Sequence, residues 1–83
     1  MSRILVEIKV PVTQKNFEAF ISSDSLMSEV ISMLVQIMND MNQGNYRGTE
    51  DAILCNAETG IIYNVNMRIA ELEIKNGDQL ILI

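Results

Sequence analysis

The chemistry open to this 83-residue chain is bounded first by what it lacks. It has no histidine and one cysteine, Cys55. Histidine is the commonest general base and metal ligand near neutral pH. A lone thiol with no base beside it is a poor nucleophile. In the local strand pattern Cys55 shares a face with Ile53, so it reads as a small core residue. Zinc sites need several Cys or His ligands at set spacing, which this composition cannot supply. The glycines at positions 44, 48, 60 and 77 never form a phosphate-binding loop. Glu50-Asp51 and Glu71/Glu73 are acidic pairs, better explained as solvated carboxylates than as a general acid–base couple. Asn56 and Asn64 read as turn or strand-end residues. No catalytic constellation can be assembled from these residues, so the chain is read as non-catalytic, with no cofactor and no metal.

Charge narrows the partners. The formal net charge is −5 and the isoelectric point is about 4.4. The six Lys and Arg are scattered. A nucleic-acid binder would need a basic stripe to neutralise phosphates, and an anionic membrane surface would need one too. The acidity fits ordinary solubility; its functional reading is a preference for basic partners. With one cysteine no intrachain disulfide forms, which points to a reducing, cytoplasmic setting. Met1-Ser2-Arg3-Ile4 runs straight into a strand pattern, so no signal peptide is expected. No apolar run approaches the ~20 residues of a membrane-spanning helix, so no direct membrane insertion is expected. Hydrophobic residues make up 48% and charged residues 20%, the mix of a folded globule. Length allows one domain over 1–83. Aromatics are scarce, so the core must come from Ile, Leu, Val and Met.

Periodicity supplies the elements. Ile4, Val6, Ile8 and Val10 alternate with Leu5, Glu7 and Lys9, a half-buried strand that Pro11 should end. Phe17, Ala19 and Ile21 alternate with Glu18 and Phe20 and complete a hairpin. Ser22-Ser23-Asp24-Ser25 is a helix-start signal. From Leu26 to about Asn42 the period becomes helical: Leu26, Val30, Met33, Leu34, Ile37 and Met41 form the apolar side, and Gly44 is placed to stop the helix. Asn45 to Asp51 reads as a loop. Ala52 to Asn56 and Ile61 to Val65 are short strand-like runs around a turn at 57–60. Glu71 to Asn76 reads as an irregular or 3₁₀ segment and Gly77-Asp78 as a turn. Leu80-Ile81-Leu82-Ile83 lacks polar residues, as a central strand does. Two strands, a long helix and three more strands predict a two-layer α+β domain. The β-grasp arrangement fits: a mixed sheet of four to five strands, first and last parallel at its centre, one helix across one face.

The ending Leu72-Glu73-Ile74-Lys75-Asn76-Gly77-Asp78-Gln79-Leu80-Ile81-Leu82 resembles the last turn and strand of ubiquitin-like proteins. Phe17-Glu18-Ala19-Phe20-Ile21, Met27 and Val30-Ile31, and Arg68-Ile69-Ala70-Glu71-Leu72-Glu73-Ile74 look like the YukD/EsaB-type ubiquitin-like proteins that accompany type VII (WXG-type) secretion systems of Gram-positive bacteria. The resemblance covers most of the chain from Phe17 onward; residues 42–51 have no counterpart in it. It implies a ubiquitin-like β-grasp fold and a cytoplasmic accessory or regulator that binds secretion-machinery components. The alternative is a ubiquitin-like adaptor of another assembly, or a domain of a larger membrane protein. Ubiquitin and the sulfur-carrier β-grasp proteins end in a free tail with two glycines. This sequence ends at Ile83 with no such pair, so no conjugation or sulfur transfer is expected.

Two surfaces are candidates for partner binding. With Ile4, Val6, Ile8 and Val10 inward, Leu5 points out. With Leu80 and Leu82 inward, Ile81 and Ile83 point out. With Ile53 and Cys55 inward, Leu54 points out. Leu5, Leu54, Ile81 and Ile83 would form one apolar patch on the outer sheet face, rimmed by Glu7, Lys9 and Gln79, suited to a protein partner or a homodimer. The plainer reading is that single outward Ile and Leu are ordinary strand formers. The second surface is the helix flank of Met27, Ile31, Val35 and Met38, which widens the apolar arc to about 200° and is expected to stay partly exposed unless the loop from Gly44 to Asp51 covers it.

Overall fold

The alternation of branched residues along Arg3–Val10 produces strand β1, with Val6, Ile8 and Val10 buried and Ile4 packed at the margin of the core. The computed structural model describes residues 2–41 and 52–83. Pro11 has no amide to donate, and β1 ends there in a 3₁₀ turn, Pro11–Thr13. The chain returns antiparallel as β2, Lys15–Ser22, with Val6 facing Ala19 and Ile8 facing Phe17.

Helix α1 spans Met27–Met41. Its first turn is not capped by the Ser22–Ser25 side chains, as the sequence suggested. The Leu26 amide donates to Glu29 Oε1 (2.8 Å), which is half of a capping box. The Met27 and Ser28 amides donate to the carbonyls of Met67 (2.8 Å) and Val65 (3.0 Å). Distant backbone thus satisfies groups that a helix start otherwise leaves open. In return, Ser25 and Ser23 carbonyls accept from the amides of Ile69 and Ala70. The Gly44 stop signal and the 45–51 loop lie outside the described residues.

This tether sets the rotation of the helix. The buried positions are Met27, Val30, Ile31, Leu34 and Met38, with Val35 packed against the core. Met33 and Met41, expected inside, are 38% and 43% exposed. The buried stripe is turned by roughly 65° from the expected one, on a wheel of 3.6 residues per turn. An arc of Ile, Leu, Val and Met this wide does not fix its own centre; the 65–67 loop and the sheet do. Met27, Ile31 and Met38 are therefore core, and their expected exposure is corrected.

Strand β3 is short, Leu54–Asn56, and its phase is also opposite to expectation. Leu54 faces Leu82 and is fully buried in the core. A strand shifted by one residue exchanges its two faces, and three residues carry too little alternation to fix the phase. Asn56 Oδ1 then accepts from the amides of Glu58 (2.8 Å) and Thr59 (3.0 Å), which builds the turn. The expected strand at 61–65 is reduced to one bridge, Ile62 to Cys55. A 3₁₀ turn, Ile69–Leu72, is closed by Glu71 Oε1 accepting from the Arg68 amide. Gly77, at φ 89°, supplies the left-handed step that a side chain would resist, and donates its amide to Leu5. Strand β4, Gln79–Leu82, follows, parallel to β1 and antiparallel to β3. The sheet order is β2-β1-β4-β3, with α1 across one face.

Candidate functional site

With the helix on one face of the sheet, the other face is left for contact. Its residues follow from the ladders. Ile81 is level with Lys9 on one side and Cys55 on the other. Ile53 and Ile83 exchange amide–carbonyl hydrogen bonds of 3.0 and 2.9 Å and so stand level. Because Leu54, Leu80 and Leu82 point to the core, Ile53, Cys55, Ile81 and Ile83 point away from it. The bridge at Cys55 adds Ile62 to the same face. Ile62 and Ile83 are 61% and 64% exposed, while Ile53 and Ile81 are half-buried. Cys55 lies buried between Ile81 and Ile62, on the outer face and not in the core, so its thiol is shielded.

The structure thus keeps Ile81 and Ile83 on this face and removes Leu54. Ile53, Cys55 and Ile62 take the place of Leu54; only the register of β3 against β4 reveals them. Leu5 is outward but apart. It lies four residues along β1 from Lys9, or ~13 Å at ~3.3 Å per residue, and pairs with exposed Phe20. The Arg3 guanidinium sits 5.9 Å from the centre of the Phe20 ring. Between the two apolar groups, Glu7 and Glu18 stand directly opposite each other. The single patch expected from Leu5 to Ile83 is two patches separated by charge. Val35 is half-buried against the core and offers little free surface.

Polar groups here are structural. Asn56 Nδ2 donates to the Tyr63 hydroxyl (3.1 Å). Burial pushes the Tyr63 pKa above its ordinary value, opposed by that hydrogen bond and reinforced by the charge of Asp78. A tyrosine that holds its proton more tightly when folded stabilises the domain fully below pH 10, and that contribution is lost as the pH rises through the folded pKa. Among the described residues no group of three or more His, Cys, Asp or Glu is placed to hold a metal ion. None of the described helices is long and apolar enough to cross a membrane.

A hairpin, a crossing helix, and a last strand inserted parallel beside the first define the ubiquitin-like β-grasp fold, and the chain has it. Among solved structures it is similar to the EccD5 ubiquitin-like domain from Mycobacterium xenopi, at 20% identity and a TM-score of 0.78, covering 100% of this chain and 94% of that one. It is likewise similar to the ubiquitin-like domain of the Mycobacterium tuberculosis type VII secretion system protein ECCD1, at 10% identity and a TM-score of 0.74, covering 100% and 99%. A third similar chain belongs to the MycP5-free ESX-5 inner membrane complex, at 13% identity and a TM-score of 0.83; the match covers 100% of this chain and 21% of that one. Identities this low establish the shared fold. The sequence matches no protein-family model and no curated protein.

Proposed function

We propose that the chain is a non-catalytic protein–protein interaction module, a cytoplasmic accessory or regulatory component of a type VII secretion system of the YukD/EsaB type. The observation that carries this is the apolar surface of Ile53, Ile62, Ile81 and Ile83, laid over the buried Cys55 on the sheet face that α1 leaves open. Apolar area of this kind, rimmed by Lys9 and Gln79, commonly marks an interface. The similarity to the ubiquitin-like domain of a type VII secretion system protein, and to the EccD5 ubiquitin-like domain, supports the setting. The partner is a component of the secretion machinery, or a second copy of the chain in a homodimer. A second reading, a ubiquitin-like domain of a larger membrane protein, is favoured by the match to a membrane-complex chain of which this chain covers 21%.

Affinity purification of the tagged protein from its native host tests the proposal. Wild type should recover a secretion-machinery component, and the double variant Ile81→Thr with Ile83→Asp should not. Recovery of that component in equal amounts with both proteins would overturn the assignment of the site.

A further inference from the structure

Beside the sheet face a cleft of about 400 Å³ opens between the turn that leaves β3 and the 3₁₀ turn at Ile69–Leu72. The cleft is broad and open to solvent, the shape for a side chain laid along it and not for an enclosed ligand. Ile61, Ile62, Met67 and Leu72 give it apolar walls, and Ile61 and Ile62 remain largely exposed. Its charged lining is carboxylate alone: Glu71, Glu73 and Asp78. Glu71 and Asp78 accept hydrogen bonds from the amides of Arg68 and Lys75, both 3.0 Å. Those donors are neutral, so the negative charge stands. The guanidinium of nearby Arg68 is directed elsewhere, to the Asp24 carbonyl. The charge is felt inside: Asp78 contributes to the raised pKa of Tyr63, which also lines the cleft.

Apolar walls beneath an acidic rim match one kind of side chain, a long aliphatic stem with a cationic head. We propose that the cleft receives an arginine or lysine side chain of the protein partner. The stem packs on Ile61, Ile62, Met67 and Leu72, and the cation meets Glu71, Glu73 and Asp78. Ile62 belongs to both surfaces, so one partner segment spans the sheet face and the cleft. This rests on the interaction role proposed above and adds the partner's chemistry. A neutral isostere of the same shape would fill the walls but leave the rim unpaired, so affinity should depend on the charge.

The test is an amide-resolved NMR titration of the intact protein with two capped tripeptides, Ac-Leu-Arg-Leu-NH2 and the same peptide carrying neutral citrulline. The arginine peptide should give saturable shifts centred on Ile61, Ile62, Met67, Leu72 and Glu73. Citrulline should weaken binding at least tenfold, and so should the variant Glu71→Gln with Glu73→Gln, whose amide oxygen at 71 still closes the 3₁₀ turn. Equal affinity for both peptides, shifts without saturation, or shifts centred on another surface would each overturn the proposal. The two levels separate: if the peptide fails but Ile81 and Ile83 still govern partner recovery, the cleft assignment falls and the interaction role stands. Charge-dependent peptide binding in a chain that recovers no secretion component supports the cleft and removes the secretion role.

Discussion

Met38→Ala should destabilise the domain by about 2–5 kcal/mol, whereas Met33→Ala and Met41→Ala should each change stability by less than about 0.5 kcal/mol. The three methionines share one helix, but Met38 is fully buried and the other two are exposed. For an 83-residue domain with a total stability of about 4–12 kcal/mol, the Met38 loss takes a large fraction. At about 4–8 °C per kcal/mol the Tm should fall by at least ~8 °C. Urea unfolding followed by circular dichroism reads all three variants on one scale. If Met33→Ala or Met41→Ala proves the costly change and Met38→Ala the mild one, the helix sits in the rotation its sequence suggested and the tether at Val65 and Met67 does not control it.

Ile81→Thr with Ile83→Asp should weaken association with the recovered secretion component at least tenfold, or about 1.4 kcal/mol, while leaving the circular dichroism spectrum unchanged. Ile83 is well exposed at the end of β4, and Thr at position 81 retains the branched shape that suits a central strand. Leu5→Ser is the matched control. It alters an outward apolar residue of the same sheet beyond the Glu7–Glu18 pair, and affinity should stay within about twofold, well under the ~1.4 kcal/mol of a tenfold change. Titration calorimetry separates the outcomes. A comparable loss with Leu5→Ser would mean that the partner covers the whole face, and no loss with the double variant would take Ile81 and Ile83 out of the interface.

The elements that sequence resolves best here are those with long, unbroken patterns. Eight residues of alternation in β1 specify which side faces the core, and β2 follows through its ladder. The apolar run at 80–83 and the Gly77 turn locate the central strand in the same way. Phase fails where the pattern is short or too apolar. Three residues of β3, flanked by Ile53 and Ala52, leave Leu54 and Cys55 equally credible as core. A helix with apolar residues on more than half its circumference leaves its rotation to whatever holds its first turn. That holder is backbone, the carbonyls of Val65 and Met67, which no side-chain pattern encodes. The segment 61–65 has strand composition, yet pairs only once because Asn64 turns the chain away from β3, its Oδ1 accepting from the Asn66 amide and its carbonyl from the Met67 amide. The candidate site inherits these errors directly. Ile81 and Ile83 were legible from the last strand, whereas Ile53, Cys55 and Ile62 depend on the β3 register.

The most direct measurement is secretion itself. A host strain lacking this protein, complemented with wild type or with the Ile81→Thr, Ile83→Asp variant at matched abundance, is assayed for WXG-type substrates in the culture medium. Export should fall without the protein, return with wild type, and fail to return with the double variant. Unchanged export in the deletion strain, or full restoration by the variant, would contradict an interaction module that serves this system through its open sheet face.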